Sequence, residues 1–186
     1  MVSLGSLWLP ILLSGVFVFV VSSIIHMVLQ YHAGDFKRVP NEEAVMAALR
    51  PFNLAPGEYC VPRAGSMKEM GTPAFLEKMK AGPVLLMTVM KSGAPSMTGS
   101  LIAWFVYSIV VSIFAGYVAA CALGPGAHYL AVFRFVGTTA FAGYALGIWQ
   151  NAIWYKRSVS TVLKLTVDGL VYACVTAGAF GWLWPS

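Results

Sequence analysis

Apolar residues run almost without interruption through four stretches of the chain, at about residues 7–30, 100–122, 129–151 and 165–184. A bilayer's hydrocarbon core is ~30 Å thick and a helix rises ~1.5 Å per residue, so about 20 such residues make one crossing. The pattern predicts four transmembrane helices. Short loops join the last three, while the polar segment 31–98 separates the first from the second. The expected organisation is a transmembrane helix over 1–30, a cap over 31–98 and a three-helix transmembrane bundle over 99–186. The fold class expected is an all-α integral membrane protein with a small α/β insertion between helices one and two.

Inside the cap the pattern changes to short elements. Pro40-Asn41-Glu42-Glu43 predicts a helix start, with Asn41 as N-cap and two acids complementing the helix dipole, and Pro51 ends that helix after Arg50. Thr72-Pro73 begins a second helix, which Gly82 stops. Glu58–Pro62 predicts a short strand and Val84–Met90 a buried one, although a re-entrant segment has the same pattern. An α-β-α-β unit of about 60 residues is marginal alone, and is expected to lean on the membrane surface or a partner subunit.

Composition sharpens this picture. The chain is 59% hydrophobic and 10% charged, against about 25% charged in ordinary soluble domains. Of its 19 charged residues, 14 lie in the segment 31–98. These proportions exclude a soluble enzyme, a disordered tail, a disulfide framework and a nucleic-acid-binding domain, despite the net charge of +5. Lys37, Arg38 and Lys91 flank the cap, and Lys156 and Arg157 follow helix three, whereas residues 1–6, the loop 124–128 and Pro185-Ser186 carry no charge apart from His128 if protonated. The positive-inside rule predicts both termini outside and residues 31–98 cytoplasmic, the plan of a small bacterial inner-membrane protein.

Helices in lipid associate through small residues that let backbones approach. Helix two carries Ser108, Ser112, Gly116 and Ala120 at four-residue steps, helix three Thr139, Gly143 and Gly147, and helix four Gly169, Ala173, Ala177 and Gly181. Gly143 and Gly147 form a possible homodimer seam, but three such rows favour packing of helices two, three and four within one chain. Helix one, rich in Phe and β-branched residues, is expected to pack more loosely, or to face lipid or a partner.

Ionisable side chains near a membrane interior are costly, which makes each a functional candidate. His26, Gln30, His32, Asp35, Gln150, Asn151, Lys164 and Asp168 form the candidate polar cluster at the inner leaflet, able to hold a lipid head group, a proton or a small anion. The local alternative begins helix four at Leu165 and pairs Lys164 with Asp168 at i,i+4. That alternative is preferred. His32 and Asp35 have the chemistry of a metal ligand pair or of a base and its orienting partner, yet no third or fourth ligand follows at a recognisable spacing. On a continuous helix His26 and His32 sit about 240° apart, which argues against a bis-histidine haem. Arg134 is expected to snorkel to the outer head groups. The scattered Cys60, Cys121 and Cys174 read as free thiols, and six methionines between 67 and 97 as packing residues rather than a copper site.

No nucleotide-binding loop, nucleophile elbow or zinc-protease motif occurs, and no cofactor or catalytic residue is predicted. The expected partners are the lipid bilayer and other membrane subunits or a second copy. Two functions stay open: a non-catalytic accessory or assembly subunit, which the lack of motifs favours, and a small transporter or lipid-modifying enzyme built on the inner-leaflet cluster.

Overall fold

The computed structural model describes residues 2–94 and 96–186. Four helical stretches, Leu4–Leu29, Thr98–Ala122, Tyr129–Ile153 and Val159–Trp182, are long and apolar enough to span a membrane. The chain divides into two compact units, one comprising Met1–Phe36 with Ser96–Ser186 and the other Lys37–Pro95.

In the helical unit, the first stretch opens with a 3-10 turn (Leu4–Leu7), continues as α1 (Trp8–Ser23) and ends as a π-helical turn (Ile24–Leu29). The other three stretches are α5 (Thr98–Ala122), a broken helix, and α8 (Val159–Trp182). The broken helix is α6 (Tyr129–Tyr144), a 3-10 turn (Leu146–Ile148) and α7 (Trp149–Ile153). α6 and α8 share the largest interface, and α1 packs on both α5 and α8.

Small residues create these contacts. Gly169 meets Ala145 and Tyr144 of the broken helix, Gly116 meets the Phe180 ring of α8, and Gly181 meets the Tyr129 ring of α6. Ala173 and Ala177 are buried, as are Ser108 and Ser112. Gly143 packs on Val111 of the same chain, whereas no described residue lies within 4 Å of where a Cβ would stand at Gly147.

Two expectations for the helices are corrected. Helix one does not pack loosely: Ser14, Gly15, Val18 and Ser22 are buried, Gly15 lies against Ile109, and Ser14 Oγ donates to Ser112 Oγ at 2.9 Å. A Trp104 Nε1–H···Ser22 Oγ bond of 2.9 Å adds a second tie to α5. Its small residues Ser14 and Ser22 stand eight apart with Val18 at the step between them, so the sequence shows no continuous small-residue row. Helix four begins at Val159 rather than Leu165, because buried Thr161 and Val162 already face the bundle. Lys164 and Asp168 consequently lie in its second and third turns.

The unit Lys37–Pro95 contains α2 (Glu42–Leu49), β1 (Gly57–Val61), α3 (Met67–Met70), α4 (Pro73–Ala81) and β2 (Leu85–Val89). β1 and β2 pair antiparallel with Tyr59 opposite Met87. Thr72 caps α4 by accepting from the Phe75 N–H, and Gly82 ends it with a positive φ of 59°. Asn41 does not cap α2: it adopts a left-handed φ of 51°, and its side chain makes no cap bond. β2 is not buried, since three of its five residues are exposed and two intermediate. Met67 and Met90 are exposed as well, and Phe75 is the one buried hydrophobic side chain among the described residues of this unit.

Candidate functional site

The site forms where helix one stops. Ser22 and Ser23 both donate their hydroxyls to the Phe19 carbonyl, and the next six residues widen into the π-helical turn that carries His26. Gln30 then takes a left-handed conformation, with φ 50°. Two successive turns follow, closed by the Ala33 N–H to the Gln30 carbonyl and the Asp35 N–H to the His32 carbonyl, both at 3.0 Å. This reversal folds His32 back toward His26, and their rings meet edge to face with centroids 4.8 Å apart. Tyr31 also packs on His32, its ring centroid 4.4 Å away.

α8 completes the arrangement. His32 Nδ1 lies 2.6 Å from Asp35 Oδ2, and His32 Nε2 lies 2.8 Å from Asp168 Oδ2. Lys164 Nζ donates to Asp35 Oδ1 at 2.8 Å and to the Tyr31 carbonyl at 2.7 Å. A continuous chain of charge-assisted bonds thus runs from Lys164 through Asp35 and His32 to Asp168, whose side chain is only 2% exposed. The expected Lys164–Asp168 pair is replaced by two long-range contacts, because the turns at 30–36 bring competing partners to each residue. The hydrogen bonds from Lys164 first, and from His32 second, hold the Asp35 carboxyl below its ordinary range. Asp35 is therefore an anion at neutral pH.

Of the eight residues in the candidate cluster, His26, His32, Asp35, Lys164 and Asp168 come together. Gln30 is exposed and bonds locally to the Met27 carbonyl, Asn151 bonds to the Ile148 carbonyl, and Gln150 is exposed. Arg134 lies on the surface of the bundle, at an apolar groove between α6 and α8 with a volume of about 310 Å³. The three cysteines are free and exposed.

The sequence reading missed what lies beyond Asp168. Asp168, Tyr172 and Thr176 occupy successive turns of one face of α8, and all three are buried. Among the described residues, Asp168 Oδ1, Tyr172 Oη and Thr176 Oγ1 make no full hydrogen bond, Thr176 having only the Tyr144 hydroxyl as a weak neighbour. The Tyr172 ring in the middle of this row packs on Trp104 and Tyr144, the three ring centroids lying 5.6–6.2 Å apart. The four-residue spacing was readable in the sequence, but it coincides with the row of small residues that sets α8 against its neighbours.

This arrangement can bind a cation. Asp168 offers a carboxylate oxygen and His26 and His32 each a ring nitrogen, the three ligand atoms lying within 4.8 Å of one another, and Asp168 Oδ1 is free of other bonds among the described residues. The third group that the sequence did not supply near His32 arrives from 136 residues away. In comparisons with protein-family models, curated proteins and solved structures, nothing matches this chain.

Proposed function

We propose that this chain is a small multi-pass transporter of the inner membrane, in which the His32-centred site accepts a cation and passes it along the row Asp168, Tyr172 and Thr176. The observation that carries the reading is the row itself. An unpartnered buried polar atom costs about 1–3 kcal/mol, and here three follow one another along one helix face. The Tyr172 ring packs on Trp104 and Tyr144, but that packing uses none of the three polar atoms, and polar groups held inside a membrane mark ion pathways. The positive-inside pattern puts residues 31–98 and the site on the cytoplasmic side and both termini outside.

Orientation has its own test. In a cysteine-free background with single cysteines at Ser66 or Gly126, an impermeant thiol reagent on intact cells should label Gly126→Cys and spare Ser66→Cys. Labelling of Ser66→Cys would reverse the direction of transport.

Flux tests the function. Proteoliposomes holding a proton- or zinc-responsive dye should report uptake, and Thr176→Val, which removes one hydroxyl from the row at nearly constant volume, should slow it at least tenfold. Equal signals from protein-containing and empty vesicles would reject transport.

A second reading, an accessory or assembly subunit of a larger membrane complex, is favoured by a separate observation. The unit Lys37–Pro95 exposes Phe52, Met67 and Met90 and buries Phe75 alone among its described hydrophobic side chains, so it has the surface of a subunit waiting for cover. Copurification in mild detergent tests it: a stoichiometric partner lost on changing Met67 and Met90 to serine supports the subunit reading.

A further inference from the structure

We infer that His26, His32 and Asp168 bind a divalent first-row transition metal ion, which would be the cargo of the proposed transporter; the assignment of cargo rests on that reading. Three features of the geometry point to a metal rather than to a hydrogen-bonded cluster alone.

The first is the donor set. Two imidazoles and one carboxylate are the ligands that zinc, iron, cobalt and nickel favour, and no competing thiolate is among the three. With metal–ligand bonds of about 2.0–2.2 Å, tetrahedral ligands stand ~3.4 Å apart. The His32 Nε2 and Asp168 Oδ2 atoms are 2.8 Å apart and need to open by about half an ångström. His26 is exposed and makes no side-chain hydrogen bond among the described residues, so its ring is free to swing inward from within the 4.8 Å that bounds the three ligand atoms. Three protein ligands leave a position open for water or for the next group along the path.

The second is the support behind His32. A metal-binding histidine usually donates its other ring N–H to a carboxylate, which fixes the tautomer and aims the free lone pair at the metal. Asp35 stands in that place at 2.6 Å from Nδ1, and Lys164 anchors Asp35 at 2.8 Å. With Nδ1–H given to Asp35, Nε2 is the ring atom that faces Asp168, and its lone pair becomes available once the proton between them is displaced. Metal uptake displaces the proton shared between Nε2 and Asp168, which leaves to solvent.

The third is Asp168 itself. It is an almost fully buried carboxylate with one oxygen unpartnered, so a dication supplies charge that the apo site lacks. Tyr172 follows one turn deeper on the same face, which gives the ion an oxygen to meet next.

Co²⁺ titration of the full-length protein in detergent, followed by ligand-field absorption and then by Zn²⁺ competition, tests the assignment. One ion per chain is expected, with Zn²⁺ displacing Co²⁺. Asp35→Asn should weaken binding about 10–100-fold without removing a ligand. His26→Ala should weaken it at least tenfold while circular dichroism and elution volume stay as in wild type, since His26 is exposed and loses only its edge contact with the His32 ring. Absence of a saturable Co²⁺ spectrum, or a spectrum unchanged in both His26→Ala and Asp168→Asn, would overturn the metal site. Proton flux without metal binding would overturn the metal while sparing transport. Metal binding without any flux would uphold the site and reject the transporter.

Discussion

Replacing His32 with alanine is expected to cost about 3–5 kcal/mol of stability, because it strands a buried charge. Asp168 is 2% exposed, and His32 is its hydrogen-bond partner among the described residues. Removing the imidazole leaves that carboxylate without compensation and takes one of two supports from Asp35. The cost arises from the stranded charge rather than from lost packing. A His32→Ala/Asp168→Leu double variant should therefore recover most of it, since apolar substitutes for buried ion pairs are often neutral or stabilising. Unfolding in detergent with a chelator present checks both variants. Wild-type stability in His32→Ala would mean that a proton or water replaces the imidazole at no cost, and the His32–Asp168 pair would not be what holds the site together.

A comparable loss is expected from Gly169→Val. A Cβ at Gly169 would sit 2.9 Å from Ala145 Cβ and 3.3 Å from the Tyr144 carbonyl carbon. Those atoms belong to or adjoin the backbone and cannot rotate away, so α8 and the broken helix must separate. Overpacking of this kind costs about 1–3 kcal/mol, and the two γ-methyl groups of valine raise it toward the upper end. Gly147→Ala is the control, because nothing lies within 4 Å of its Cβ position. That change should leave stability the same or raise it by up to about 1 kcal/mol through helix propensity. If the two variants unfold at the same temperature, the α6/α8 interface is not the one described.

These two glycines mark the limit of the sequence. Four spans are legible because bilayer thickness imposes a length that hydropathy records directly. Rows of small residues are legible as rows, but only the neighbouring helix decides that Gly169 touches Ala145 and Gly147 touches nothing. His26, His32, Asp35, Lys164 and Asp168 are all identifiable from the cost of ionisable groups near lipid. Their wiring is not. A continuous helix places His26 and His32 about 240° apart, whereas the π-helical turn and the left-handed Gln30 bring their rings together. Such a reversal depends on backbone geometry that no periodicity encodes. Helix four starts early for a similar reason: Ser158, Ser160, Thr161 and Lys164 lower the local hydropathy, although Thr161 and Val162 are buried. With that start, Asp168 leaves the first turn and becomes an interior residue.

The measurement that bears most directly on the central claim is cation uptake by proteoliposomes carrying wild-type protein, Asp168→Asn or Thr176→Val, with Co²⁺ affinity determined on the same preparations. Wild type should transport, Asp168→Asn should lose uptake together with affinity, and Thr176→Val should keep its affinity while uptake falls at least tenfold. Uptake by Asp168→Asn at the wild-type rate would contradict the account.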